Sequence, residues 1–224
     1  SALGGEEIDK KGLVSMEDYL SAVPGVGMVD RGVGRNQVII RGIAADPTFG
    51  DPTTAVYFGD TPVTGLSFFG GSADIKLVDM ERVEVLRGPQ GTLYGSSSLA
   101  GTVRNIPNSP NMEVFEGKLK IGLSTMAEEG GDGNHVVGTL NLPLVDGKLA
   151  LRTSVYRFEN SGYIKNIAGS EAGKISIAND FGVPEVAMNK SDIGASKYTG
   201  GRIALRWQPI DGFDATLTYL TQDL

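Results

Sequence analysis

The chain has no cysteine and a single histidine, His135, among its 224 residues. Without cysteine there is no disulfide framework, no thiolate metal site and no cysteine nucleophile. Any histidine-dependent triad or zinc site would have to be built around that one histidine. The missing cysteines leave the compartment open, because an oxidising one permits disulfides without requiring them. Long apolar runs are lacking too, and none approaches the roughly 18 residues of a membrane helix. That excludes a helical span but not a membrane, since the strands of a barrel leave a much weaker hydropathy signal. No charged-then-apolar leader opens the sequence, so Ser1 reads as a mature terminus. Positive charge is in deficit, with 20 Lys and Arg against 27 Asp and Glu. A net charge of -7 argues against nucleic acid as a partner, because a phosphate-backbone binder needs basic surface.

Glycine is plentiful, at 32 residues. The glycines show no three-residue period, so they indicate turns and close backbone contacts rather than collagen. A hydrophobic fraction of 40% is enough to supply a core. Composition changes near residue 112, which divides the chain into residues 1–112 and 113–224.

The first part mixes helical and strand patterns. SMEDYLSAVPGV, residues 15–26, reads as a short helix with Ser15 as its cap. Glu17 and Asp18 suit its positive end, and Pro24-Gly25 stops it. QVIIRG at 37–42, TAVYFGD at 54–60 and RVEVLRG at 82–88 are short β-rich runs separated by turn residues. VDMERV at 78–83 fits either a helical turn or a strand lead-in. Together these predict a compact α+β domain with a small mixed sheet.

The second part alternates with period two. Phe115, Leu119, Ile121 and Leu123 oppose Glu116, Lys118 and Lys120, and the next four runs repeat the scheme. Val136, Leu140 and Leu142 oppose Thr139 and Asn141; Leu149, Leu151 and Val155 oppose Arg152 and Ser154. Ile203, Leu205 and Trp207 oppose Arg202 and Arg206, while Phe213, Leu217 and Tyr219 oppose Asp214, Thr216 and Thr218. This predicts five strands with one apolar and one polar face. Short connections, PLVDG at 143–147 and PIDG at 209–212, alternate with long ones at 126–134 and 159–197. Strict alternation of this kind fits an outer-membrane barrel with tight periplasmic turns and long external loops. A soluble β-sandwich alternates in the same way and remains the competing architecture. Five strands close neither a large barrel nor a complete fold, so the sequence reads as truncated after Leu224.

Residues 87–98, RGPQGTLYGSSS, have the look of a phosphate loop. Gly91 and Gly95 are too close for a P-loop, and no lysine follows Gly95. The 88, 91, 95 spacing fails the dinucleotide fingerprint, and no serine at 96–98 has glycine two residues to each side, as a nucleophile elbow requires. No catalytic residue is assigned, and the chain is not read as an enzyme. The glycines Gly88, Gly91 and Gly95 are expected to supply positive φ and close approach in a tight turn, with Pro89 fixing φ beside the first. Tyr94 is expected to be a buried ring with a satisfied hydroxyl, and Ser96, Ser97 and Ser98 turn or cap residues.

Residues 80–110, MERVEVLRGPQGTLYGSSSLAGTVRNIPNSP, closely resemble the plug-domain signature of TonB-dependent outer-membrane receptors. DYLSAVPGV at 18–26, VIIRGI at 38–43 and VYFGDTPV at 56–63 follow the family's order. The resemblance covers residues 1–112, and the strands after them fit the start of the family's barrel. Two places depart from the common pattern: Gly59-Asp60 stands where many members have Asp-Gly, and AGTVRNI at 100–106 replaces a G-G-x-I-N-I form. No segment resembling a TonB box precedes Leu3.

The resemblance implies a transporter of the Gram-negative outer membrane, a lipid-embedded barrel of about 22 strands filled by a plug. Its expected cargo is a scarce ligand, foremost an iron-siderophore complex, with cobalamin or an oligosaccharide as alternatives. The TonB energy-transducing complex would rearrange the plug from the periplasmic side, without cofactor, bound metal or covalent chemistry. By the same resemblance Arg41 and Arg87, at the I-R-G and L-R-G-P positions, would lock plug to barrel by pairing with wall glutamates, and Gly42 would belong to the first turn. Phe49, Phe68 and Phe69 are candidates to face substrate, although packing within the plug explains them equally. Asp46 and Asp51 read as solvated loop acids, and His135 as incidental at a strand start. Lys118, Lys120, Arg152, Arg202 and Arg206 suit a polar barrel interior, and Trp207 and Tyr219 the aromatic girdles.

Overall fold

The computed structural model describes residues 1–30, 36–45, 52–65, 71–72, 74–125, 131–162, 164–166 and 190–224. The amino-terminal body begins with strand β1 (Ala2–Gly4), helix α1 (Gly5–Lys11) and helix α2 (Met16–Ser21). Strands β2 (Val26–Asp30), β3 (Asn36–Ile40), β4 (Thr54–Phe58), β5 (Thr61–Pro62), β6 (Thr64–Gly65) and β7 (Gly71–Ser72) follow. Strand β8 (Met80–Arg87), the one-turn helix α3 (Gly91–Tyr94) and strand β9 (Gly101–Pro107) complete it.

Two small sheets result. One runs β1-β8-β9-β4-β5 and is mixed, because β4 and β9 pair in parallel; the other runs β2-β3-β7-β6. Helix α2 starts where the sequence places it. Ser15 Oγ accepts from the Asp18 N–H, and Asp18 Oδ2 accepts from the Ser15 and Val14 N–H groups at 2.8 and 3.0 Å. This capping box satisfies donors that the first helical turn leaves free. Met16, Tyr19 and Leu20 then bury completely against Ile40, Val56, Val83 and Val103 of the sheets.

Some elements escape the sequence patterns. Residues 80–83 are the start of β8, not a helical turn. Strand β1 and helix α1 carry too few apolar residues to be legible; Ile8 is the one buried side chain of α1. That helix is defined by its ends, with Glu6 and Glu7 in the first turn, Lys10 and Lys11 in the last, and Gly12 in the left-handed conformation beyond them.

The second body is an antiparallel meander in the order β10-β11-β12-β15-β16. Its strands are β10 (Glu116–Thr125), β11 (Asp132–Val145), β12 (Leu149–Asn160), β15 (Ser196–Trp207) and β16 (Ala215–Asp223). The long connection after β12 holds a separate hairpin of β13 (Ile164–Asn166) and β14 (Lys190–Ile193). Strand β11 begins three residues before the pattern suggests, because Asp132, Gly133 and Asn134 pair with Thr125, Ser124 and Leu123.

The two faces of this meander decide between the rival architectures. On the outer face Leu119, Ile121, Leu123 and Leu217 are 69, 68, 85 and 74% exposed, and no described residue packs over them. A sandwich would cover that face. The polar face instead turns toward the amino-terminal body, inverting the ordinary arrangement of a soluble sheet. No helix among the described residues is long and apolar enough to cross a membrane, which has no bearing on spanning strands.

Candidate functional site

The functional geometry lies in the seam between the two bodies. Alternation along β12 and β15 points Arg152, Ser154 and Arg202 inward, and Ser154 stands opposite Arg202 in the register. All three reach one carboxylate. Asp79 Oδ2 accepts from Arg152 Nε at 2.7 Å, Arg202 Nη2 at 2.7 Å and Ser154 Oγ at 3.1 Å. Asp79 Oδ1 accepts from Arg152 Nη2 at 2.6 Å and Asn108 Nδ2 at 2.9 Å. The side chains of Asp79, Arg152 and Arg202 are 4, 7 and 4% exposed. Burial alone would raise the Asp79 pKa; the Arg152 hydrogen bonds and charge, then Asn108 and Arg202, outweigh it and hold the carboxyl below 3.8. Asp79 has φ 56, one of two non-glycine residues at positive φ among those described. That conformation turns the chain sharply at the start of β8 and aims the carboxylate outward.

Just before Asp79, residues 74–78 form a buried strap that belongs to no sheet. Ile75 and Leu77 enter the core of the amino-terminal body, whereas Val78 joins Val137, Tyr156, Phe158 and Tyr198 of the meander. Lys76 also faces the meander, with its ammonium 3.9 Å from the centre of the Tyr198 ring and 2.7 Å from Asp74 Oδ2. Gln222 of β16 grips the first half of the strap. It accepts from Lys76 N at 3.2 Å and donates to Asp74 O at 2.9 Å, while Tyr156 Oη donates to it at 2.7 Å. Gly200 makes this possible, since a Cβ there would lie 2.5 Å from the Tyr156 hydroxyl.

A third contact is more open. Asp9 on α1 accepts from both Lys118 and Lys120 of β10. Burial pulls its pKa up, and the two lysines more than offset that, leaving the carboxyl below 3.8. Between this contact and Asp79 lies a polar cavity of about 60 Å³, lined by Asn108, Glu116 and Arg152 as well as by Asp9, Lys118 and Lys120. The seam thus joins the two bodies through acids of the first and bases of the second.

The residues singled out from sequence are placed less centrally. Arg41 and Gly42, at φ 54 and 75, form the two central positions of a turn closed by Ile43 N to Ile40 O at 3.0 Å. The Arg41 side chain is exposed and makes no ion pair among the described residues. Arg87 Nη2 donates to Ser1 Oγ at 3.0 Å, and its Nε is buried without a partner among the described residues. Positive φ occurs at Gly88 and Gly95 but not at Gly91, which opens α3 with open space around it. Pro89 lies between Gly88 and α3.

Tyr94 is half-buried rather than buried. Its ring meets Tyr57 edge-on at 5.2 Å and lies 5.7 Å from the Arg104 guanidinium, and its hydroxyl makes no hydrogen bond among the described residues. His135 stacks on Phe158 at 5.4 Å across from Gly122. Trp207 and Tyr219 lie on the outer face. Phe49, Phe68, Phe69, Asp46 and Asp51 lie outside the described residues. Sequence reasoning missed Asp79, Asp9 and Gln222. One signal pointed to the first: two inward arginines on neighbouring strands require an acid from elsewhere.

Residues 1–102 match the family model of the TonB-dependent Receptor Plug Domain. The pesticin receptor of Yersinia pestis is 25% identical over 225 residues, which is 97% of this chain and 29% of that receptor. The catecholate siderophore receptor Fiu of Escherichia coli K12 is 30% identical over 137 residues, 58% of this chain and 16% of Fiu. The crystal structure of the ferric yersiniabactin uptake receptor FyuA from Yersinia pestis superimposes with a TM-score of 0.76 at 21% identity, covering 99% of this chain and 31% of FyuA. The chain therefore spans less than a third of the length of these relatives.

Proposed function

We propose that the chain, whose residues 1–102 match the plug-domain family model, is the plug and first wall strands of an outer-membrane transporter for a ferric siderophore. The observation that carries the reading is the inverted meander. Its polar face grips the plug through Asp79, Asp9 and the strap, and its apolar face is bare. A lipid-facing wall around a gated plug needs that polarity, and a soluble binding module does not. The cargo is inferred from two of the relatives, Fiu, named for a catecholate siderophore, and FyuA, named for ferric yersiniabactin. The plug holds and gates; the cargo undergoes no covalent chemistry.

In this reading energy arrives through the TonB complex at the periplasmic face, and the lumen of the barrel houses the plug. Arg41 and Arg87 then lock the plug to further wall carboxylates. Two features support that role: the exposed Arg41 sits on a strained turn, and the buried Nε of Arg87 has no partner among the described residues. Phe49, Phe68 and Phe69 keep their place as substrate-facing candidates.

The test is uptake. A strain lacking the gene should fractionate without an outer-membrane band present in the parent, and should lose TonB-dependent accumulation of radioactive iron from at least one siderophore. TonB-dependent uptake of cobalamin or an oligosaccharide instead would overturn the cargo and keep the machine. A protein recovered from the soluble periplasm would overturn both.

A further inference from the structure

The contacts made by Asp79, the strap and Asp9 differ in how wet they are. Asp79 is 4% exposed and held by two guanidinium groups that are themselves buried. The strap is buried along residues 74–78. Asp9 is 33% exposed, its partners Lys118 and Lys120 are 48 and 36% exposed, and a polar cavity opens beside them. Ion pairs of that exposure are weakened by salt, whereas a desolvated pair is screened much less.

The elements behind the two kinds of contact also differ in how firmly they belong to the plug. Strand β1 is a three-residue edge strand, tied to β8 from Ala2 to Gly4. Helix α1 buries Ile8 alone. An apolar cavity of about 180 Å³ separates β1 from α2 and is lined by Leu3, Tyr19, Val23, Pro24 and Val83. Helix α2 beyond it is embedded, with Met16, Tyr19 and Leu20 fully buried. Gly12, left-handed and in open space, separates the two regimes and can absorb a change of direction.

We propose that residues 1–12 are a separable latch: Asp9 fastens α1 to Lys118 and Lys120 across a wetted gap, and this latch parts from the wall while Asp79 and the strap keep the rest of the plug seated. The polar cavity lowers the cost of parting, because water already reaches the charges that separate. Glu116 sits at the boundary, 3.2 Å from Arg152 and lining the same cavity, so Arg152 is kept on the Asp79 side when the lysines let go. The inference rests on the transporter reading only for its purpose, and its test requires no transport.

Amide hydrogen exchange on the full-length protein in lipid nanodiscs reads the latch directly. Raising salt from about 20 to about 500 mM should speed exchange in peptides covering residues 1–12 by about 3- to 10-fold, the size expected of one or two half-exposed ion pairs. Peptides covering 101–107, in strand β9 between β8 and β4, should not change. Asp9→Asn should reproduce the fast exchange at low salt and abolish the salt response. The wall-side double variant Lys118→Gln, Lys120→Gln should do the same, which separates loss of the latch from damage to α1. Exchange that rises together in 1–12 and 101–107 means the plug moves as one body and overturns the proposal. So does a salt response that survives in Asp9→Asn.

Discussion

The carboxylate of Asp79 and the guanidinium of Arg152 meet fork to fork, with Nε 2.7 Å from Oδ2 and Nη2 2.6 Å from Oδ1. One residue belongs to the plug and the other to the wall, 73 positions apart. Arg202 closes on the same carboxylate at 2.7 Å from the neighbouring strand. The polarity is opposite to that expected of Arg41 and Arg87: here the plug supplies the acid and the wall the bases.

Replacing Asp79 should therefore be costly. Asp79→Asn leaves Arg202 buried without a counter-charge and Arg152 with only the half-exposed Glu116, at about 3–5 kcal/mol. Thermal unfolding of the full-length protein in detergent, followed by protease cleavage within residues 74–112, should show the plug loosening well below the wild-type midpoint. An unchanged midpoint would mean the clamp adds nothing to seating.

Acid should act through the same carboxylates. Asp79 and Asp9 titrate below 3.8 in the folded state. A depressed folded value contributes stability that is present above the unfolded value and lost as pH falls through the folded one. Plug seating should thus be level from neutral pH to about pH 4 and weaken below it. Protease sensitivity against pH checks this, and Asp79→Asn should flatten the acid limb. A variant with the wild-type limb would show that other carboxylates govern it.

The glycine-rich stretch makes a paired prediction. Gly101 has φ 154, and a Cβ there would fall against the Leu86 carbonyl oxygen and 2.7 Å from Ile40 Cδ1. Gly101→Ala should destabilise the plug by about 1–3 kcal/mol from conformation alone, with the clash added. Gly91 opens α3 in free space, so Gly91→Ala should be neutral or stabilising by up to about 1 kcal/mol. Chemical denaturation of the two variants should separate them cleanly; equal losses would contradict the backbone described for residues 88–101.

The outer face predicts a depth-dependent penalty. Ile121→Arg, at the centre of β10, should cost about 2–4 kcal/mol in a membrane and lower the folded yield in outer-membrane fractions. Ser124→Arg, near the strand end and on the inward face, should be tolerated far better. Similar yields for both would argue that lipid does not contact this face.

Much of this architecture is legible in the chain because its signals are local. The Ser15–Asp18 capping box, the alternation of Leu119, Ile121 and Leu123 against lysines, and the short turns at 143–147 and 209–212 need only neighbouring residues. The seam is not local. An aspartate before a strand, as at position 79, looks like any solvated turn acid until Arg152 and Arg202 arrive from 73 and 123 residues away. Helix α1 is hidden for a different reason: GEEIDKK has one apolar residue, so no periodicity marks it and its caps do the work. In RGPQGTLYGSSS the spacing ruled out nucleotide loops, but it could not tell that Gly91 starts a helical turn while Gly88 and Gly95 bend the chain.

The strap from Asp74 to Asp79 carries teeth on both edges. Ile75 and Leu77 fit one lock, and Lys76 and Val78 another, with a period of two and no ladder of its own, while Asp79 reaches the wall from the turn that ends it. A slip of one residue would push Lys76 into the plug core, present Leu77 to the wall aromatics and take Asp79 off Arg152 and Arg202. The strap is therefore a ruler as well as a fastener, setting the depth and rotation at which the plug sits. Deleting one residue between 74 and 79 should be worse than any single replacement there, because it puts the teeth on either side of the gap out of register with each other.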